Sequence, residues 1–220
     1  MERAGRDTHG FGSLGEQLLQ VGYGTEDRAQ RFYEEQMLDH LNDSMIEFVG
    51  RMEMAFIATS DRAGAADCSL RTGPPGFIQV LSRQEIAYPE YRGNGVFASL
   101  GNISENPNVG ILLVDFVRDV IGLHINGRAR VRPDADLRAH YPEVSFDTGR
   151  GRTPERWVLV QLDEAYIHCR KHIPRMQPVP MTRDWGTDDV KRKGGNYFGV
   201  RAAEDTTQPV DATTVPPAQR

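Results

Sequence analysis

Between residues 54 and 169 one extended segment follows another, mostly across short turns, and this succession constrains the fold more than any other feature. Met54 to Thr59 reads as a buried strand, "SDRAG" turns at Gly64, and Ala66 to Arg71 returns as a second strand. "TGPPG" then interrupts pairing, because proline has no backbone N–H to donate. "FIQVL" (77–81) and "EIAYPEY" (85–91) predict a hairpin around Ser82, Arg83 and Gln84. "VGILLVDF" (109–116) is a nearly apolar strand. "VIGLHINGRARV" (120–131) sets Ile121, Leu123 and Ile125 against Gly122, His124 and Asn126, the alternation of a half-buried strand. "ERWVLVQLDEAYIHC" (155–169) gives a last long strand with a break expected at Asp163-Glu164. Strands and helices do not alternate regularly, which argues against a doubly wound parallel sheet. A closed or nearly closed antiparallel barrel with peripheral helices fits better, since closure also protects strand edges.

Helices are expected around this β core. Thr25 is an N-cap followed by two acids, and Phe32, Met37, Leu38 and Leu41 recur at helical spacing. A second helix starts near Asn42-Asp43-Ser44 and carries Met45, Ile46, Phe48 and Val49. Val96, Phe97, Leu100 and Ile103 fall on one helical face, which ends at Asn106-Pro107 because a residue before proline is pushed out of the helical region. "DADLRAHY" is a short helix. Residues 1–24 read as a mobile or partner-docked segment, 25–175 as the folded domain, 176–199 as a C-terminal extension and 200–220 as a disordered tail. The tail is small, polar and proline-containing, and buries too little apolar area to offset its ordering entropy.

Bulk chemistry narrows the function. A net charge of -5 argues against a general nucleic-acid binder, which needs a basic surface. No apolar run approaches the roughly 20 residues that span a bilayer, and the first residues lack the apolar core of a secretory signal. Only Cys68 and Cys169 are present, too few for a disulfide framework, so a cytoplasmic chain with reduced thiols is expected. A small-molecule substrate is expected, with neither nucleic acid nor membrane as partner.

The stretch "YRGNGVFASLGNISENPNVGILLVDF" (91–116) carries the most chemistry. A charged, glycine-rich turn leads into a polar helix, an Asn-Pro stop and a buried strand. Together with "MAFIATSDRAG", "CSLRTGPPGFIQVL" and "LHINGRARV", in that order, it resembles the pyridoxamine 5'-phosphate oxidase-like flavin-binding split-barrel family, in its predicted flavin-nucleotide-binding branch. The resemblance covers about residues 45–170. It implies a mainly β (α+β) chain, an antiparallel split β-barrel with peripheral helices. It also implies a homodimer, with FMN in the clefts between subunits. The implied contacts are Ser69, Leu70 and Arg71 on the second strand; Tyr91, Arg92, Gly93 and Asn94 in the turn; and Ser99 and Asn102 on the helix. Arginine suits the phosphate because its planar fork donates two parallel hydrogen bonds. Backbone N–H groups near Gly93 to Gly95 add to that site.

Where well-studied oxidases of the family carry an Arg-Lys pair before the Asn-Pro turn, this chain has Ala98 and Ser99. Arg71 and Arg92 are expected to replace that charge, and vitamin B6 oxidation is not carried over. Without the resemblance, Arg71 reads as a surface strand charge, Gly93 and Asn94 as ordinary turn residues, and Ser99 and Asn102 as a solvated helix face. "HCRKH" (168–172) holds three possible metal ligands without a second cluster to complete them, so no metal site is expected. Cys68 reads as a small buried residue, His124 as a surface histidine or one facing the dimer cleft, Trp157 as core or dimer interface, and "KRKGG" (191–195) as a solvated loop.

The activity expected is FMN-dependent hydride transfer to or from a small organic substrate, with the catalytic residues unknown, since a flavin carries the electrons itself. The alternatives are a non-catalytic flavin-binding protein, or a split barrel that uses deazaflavin or haem.

Overall fold

In the computed structural model, which describes residues 12–142, 144, 149 and 151–200, the chain enters through two helices. Leu14–Tyr23 (α1) is opened by Ser13, whose side chain accepts from the Glu16 N–H, and closed by Gly24 in the left-handed conformation. This helix lies inside the segment read from sequence as a mobile or docked arm. Glu26–Gln36 (α2) follows Thr25 as expected, but it stops before Met37. Met37–Leu38 (β1) is extended instead, so the helical spacing that reached Leu41 was partly a coincidence of apolar residues. Asp43–Arg51 (α3) is capped by Asn42, whose Oδ1 accepts from the Met45 N–H at 3.0 Å.

The strands are Met54–Ser60 (β2), Ala66–Thr72 (β3), Gln79–Ser82 (β4) and Glu85–Glu90 (β5). The helix Ala98–Glu105 (α4) separates these from Asn108–Asp115 (β6) and Ile121–Pro133 (β7). Asp134–His140 (α5), Arg156–His168 (β8) and a 3-10 turn, Arg170–His172, complete the fold. Every paired strand is antiparallel, in the order β3-β2-β6-β7-β8-β5-β4, with β1 added to β8. This is the mainly β, antiparallel split barrel with peripheral helices. The sheet is not closed: β3 and β4 are its two ends.

The core follows from the period-2 pattern. Ile57, Ile111, Ile125, Val158 and Val160 point to one face and are buried there with Tyr88 and Leu113. Burying one such aliphatic side chain contributes about 1.5–3 kcal/mol. Trp157 packs with Leu137, Ala87 and Leu159 in a second cluster, and its indole N–H donates to Asp134 Oδ1 at 2.9 Å.

The break expected at Asp163-Glu164 is a β-bulge. Asn126 faces Glu164, while the next residue, Gly127, faces Leu162, leaving Asp163 as the extra residue. Gly127 is needed there because a Cβ would collide with the Gln161 carbonyl oxygen. The glycine of "NGRA" is therefore explained by backbone packing.

Two further expectations change. Val96 and Phe97 precede α4 and do not join its apolar face; Val96 is 70% exposed. Cys68 is exposed, because β3 is an edge strand and nothing covers its outer side among the described residues. No helix of the described residues is long and apolar enough to cross a membrane.

Residues 182–200 belong to a second compact unit and form turns. Asp189 Oδ1 accepts from the Lys191 and Arg192 N–H groups, and Arg192 pairs with Asp184 at 2.8 Å, so "KRKGG" sits in local turns. Residues 1–11 of the expected N-terminal arm, and all of the expected tail beyond residue 200, lie outside the described residues.

Candidate functional site

Two polar residues of α4 and its C-cap asparagine lie on one face and fasten the helix to β2 and β3. Ser99, Asn102 and Asn106 recur at the spacing that places side chains on one side of a helix. Ser99 Oγ lies 2.8 Å from Ser69 Oγ on β3. Asn102 donates to Thr59 Oγ1 at 3.0 Å, and Asn106 donates to Ser60 Oγ at 2.8 Å, both on β2. Ser99 is only 3% exposed. The helix face that reads as solvated or flavin-contacting from sequence is thus turned inward, and its hydrogen bonds go first to protein.

Beneath α4, β3 brings together three polar side chains that share a strand face. Asp67, Ser69 and Arg71 stand opposite Thr59, Ile57 and Ala55, so they extend the inner face of the barrel. Ser69 donates to Asp67 Oδ2 at 3.0 Å, and Ser99 Oγ lies 3.4 Å from the same oxygen. Asp67 Oδ1 accepts nothing among the described residues. Arg71 Nε donates to Glu90 Oε1 at 2.7 Å, tying β3 to β5 across the open side of the barrel. Its Nη1 is 3.4 Å from the Leu70 carbonyl, and its Nη2 has no partner among the described residues. Both Arg71 and Glu90 are mostly shielded from water.

Tyr88, on the same strand as Glu90, is fully buried and its hydroxyl has no partner among the described residues. Burial, then the Glu90 carboxylate, push its phenol well above the usual tyrosine range, and Arg71 opposes this. An unpaired buried hydroxyl costs about 1–3 kcal/mol, so a donor is held in reserve beside the Arg71–Glu90 pair.

The other sequence-predicted residues distribute around this edge. Leu70 turns to the opposite face of β3 and is 53% exposed. Tyr91, Arg92, Gly93 and Asn94 lie in the loop between β5 and α4, where Asn94 Oδ1 accepts from the Val96 N–H at 3.0 Å. Tyr91 also lines a cleft of about 510 Å³ with Pro74, Pro75, Phe77 and Trp157, so the "TGPPG" segment shapes the space where β3 ends. Phe97 enters α4 with φ 57°, a left-handed conformation that strains a bulky residue, and Arg156 sits over its ring at 5.2 Å.

Sequence reasoning missed Asp67, Glu90 and Tyr88. Asp67 was within reach, being two residues before Ser69 and hence on the same strand face. Glu90 and Tyr88 carry no local signal, because only the curvature of the barrel brings β5 to β3.

A second polar cluster lies on the outer face. His124 Nε2 and His168 Nδ1 are 2.9 Å apart, and Tyr166 stacks on His124 at 4.7 Å between centroids. Gly122 makes room, since a Cβ there would press on His168. Burial, then the neighbouring His168, hold His124 below the usual histidine range. Among the described residues no three His, Cys, Asp or Glu side chains are grouped to hold a metal.

Residues 41–169 match the family model described as pyridoxamine 5'-phosphate oxidase, which covers more than half of the chain. No curated protein matches the sequence. Among solved structures, HupZ of Group A Streptococcus aligns at 16% identity over 62% of this chain and 99% of its own, with a TM-score of 0.42. An FMN-binding protein of Syntrophomonas wolfei aligns at 10% identity over 70% of this chain and 97% of its own, with a TM-score of 0.39. An F420 reductase aligns at 13% identity over 57% and 98%, also at 0.39.

Proposed function

From the premise that this chain belongs to the pyridoxamine 5'-phosphate oxidase family, we propose that it binds FMN at the β3–α4 edge and acts as a flavin-dependent oxidoreductase on a small organic substrate. The observation that carries the reading is Arg71: it is mostly shielded from water and held by Glu90, yet it keeps Nη2 without a partner. A shielded guanidinium with a spare edge is suited to a phosphate oxygen. Arg92 lies in the loop that leads from β5 into α4, and the exposed Val96 and Phe97 at the end of that loop offer apolar surface for a ring system.

The residues fit a flavin nucleotide in this sense, with Ser99 and Asn102 acting through the placement of α4. A bound flavin supplies reversible two-electron chemistry at its ring. The chain's own part is to bind and orient. Arg71 and Arg92 hold the anionic end, the loop between β5 and α4 limits water access, and the Tyr91–Pro74 cleft admits the substrate.

We place the working unit as a homodimer in the cytoplasm. Leu70, Phe56, Leu112, His124 and Tyr166 form one cross-strand row on the outer sheet face, in register over five strands. A second copy would cover this row, with an interface above roughly 2,000 Å² in total. Light scattering at micromolar concentration should give a dimer mass, and Leu70→Glu should shift it toward monomer; a monomeric wild type would refute the assembly.

The spectrum of purified protein tests the cofactor directly. A yellow protein whose blue absorbance is bleached by dithionite supports the reading. A colourless protein that takes up deazaflavin but not FMN, or a red one, would replace it.

A further inference from the structure

We propose that Asp67 is a specificity-determining residue of the cleft, taking a hydroxyl hydrogen from the polyol chain of the ligand and keeping the ligand's phosphate at the Arg71 end. This rests on the flavin reading above and adds an orientation to it.

The inference comes from how the carboxylate is held. Ser69 donates to Oδ2 at 3.0 Å, and Ser99, itself buried on α4, approaches the same oxygen at 3.4 Å. Ser69 thus fixes one oxygen and is itself backed by Ser99 of α4 at 2.8 Å, while Oδ1 is left without a partner among the described residues. Asp67 is only partly exposed, so it is neither a solvated surface acid nor a fully engaged core one. An ionised carboxylate only accepts hydrogen bonds. It favours a ligand O–H or N–H and disfavours a phosphate oxygen, which is also an acceptor and also negative.

The strand geometry then separates two subsites. Asp67 and Arg71 lie on the same face of β3, four residues apart. At about 3.4 Å per residue that is on the order of 14 Å between Cα atoms, longer than an extended five-carbon polyol with its terminal phosphate, so the side chains of Asp67 and Arg71 span the remainder. Ser69 lies midway and is turned toward Asp67. The serine pair, which the family resemblance put among the flavin contacts, is therefore the anchor of an acceptor. A phosphate placed on Ser69 and Ser99 would meet the Asp67 carboxylate with no cation between them, whereas at Arg71 the Glu90 carboxylate is already held on Nε and the phosphate meets the unpartnered Nη2.

The test titrates three probes into wild type and Asp67→Asn by flavin fluorescence: riboflavin, lumiflavin, which lacks the polyol chain, and FMN. A charge-assisted hydrogen bond contributes roughly 1.5–3 kcal/mol, which corresponds to about tenfold or more in affinity. Riboflavin should weaken by about that factor in the variant, and lumiflavin should not change. FMN should weaken less than riboflavin, because the loss of the hydroxyl bond is offset by removal of a like charge. Equal weakening of all three ligands, together with a lowered melting temperature, would show that Asp67 only anchors α4 and would overturn the proposal. An unchanged riboflavin-to-lumiflavin ratio in a stable variant would overturn it too, while leaving the flavin reading intact. Wild type that binds none of the three would remove the flavin reading and this proposal together. If the Asn variant does not fold, Asp67→Ser makes the same comparison with a smaller neutral side chain.

Discussion

Two arginine–carboxylate clusters sit at different places on the barrel, and they differ in how completely their acids are engaged. At the turn after β6, Asp115 has both oxygens occupied. Oδ1 accepts from the Val117 and Arg118 N–H groups at 2.9 and 2.8 Å, and Oδ2 accepts from the Asp119 N–H at 3.1 Å and meets Arg51 at 3.3 Å. At the β3 edge, Asp67 has one oxygen engaged, and Arg71 has its Nε on Glu90 while Nη2 is unpartnered. The first acid is a clamp for a turn that includes Val120 at φ 52°, and Arg51 leans on Asp115, Asp119 and the Phe48 ring. The second cluster has capacity left over. An acid whose bonds all close on its own turn and on Arg51 explains itself as structure, whereas a shielded arginine and a fixed carboxylate with vacant positions call for a ligand. Arg51 Nε is buried without a partner among the described residues, while its Nη2 is engaged by Asp115 and Asp119.

The sharpest way to break this comparison is at Arg71. Removing a charged partner of a desolvated phosphate costs about 2–5 kcal/mol, so Arg71→Ala should lose roughly thirtyfold to several-thousandfold in FMN affinity. Riboflavin binding should change little, and the two ligands can be compared in one fluorescence titration.

Next in size is Asp115→Ala. It strands three backbone N–H groups and Arg51, and by urea denaturation it should lower stability by about 3 kcal/mol with FMN affinity unchanged. The pH dependence sharpens the same point. Burial raises the Asp115 carboxyl, but the Arg118, Val117 and Asp119 N–H groups and Arg51 outweigh it and leave it below the usual aspartate value of 3.8. Its contribution is therefore complete above about pH 4 and disappears as pH falls through the lowered folded value. Asp115→Asn should flatten that acid limb of a stability–pH curve.

The smallest effect is expected at His124. Burial, then His168, hold it below the ordinary 6.5, so the unfolded chain takes up a proton first as pH falls. Its contribution is whole above about pH 6.5 and is lost below it, down through the lowered folded value. His124→Gln should remove a shallow slope from that part of the curve, read by urea denaturation across this pH range.

Much of this architecture was legible in the chain. Alternation at residues 120–131 gave β7 with its correct inward set, Asn106-Pro107 ended α4, and "TGPPG" separated β3 from β4. Apolar spacing misled where it was short: Met37 and Leu38 fit a helix by period but pair as a strand with β8. The site was half legible. Arg71 and Ser69 were reached through the family resemblance, since by type alone Arg71 reads as a surface strand charge, while Glu90 meets Arg71 and His168 meets His124 only through the curvature and register of the sheet. Ser99 and Asn102 were found, yet their role was not readable, because a polar helix face looks the same in sequence whether it meets solvent, ligand or a polar strand.

The measurement that bears most directly on the two clusters is a parallel titration of FMN into wild type, Arg71→Ala and Arg51→Ala, with melting temperatures recorded on the same samples. The account predicts that Arg71→Ala loses FMN and keeps its melting temperature, while Arg51→Ala melts several degrees lower and keeps its FMN affinity. Wild-type FMN affinity in Arg71→Ala would contradict it and would move the phosphate away from the β3–α4 edge.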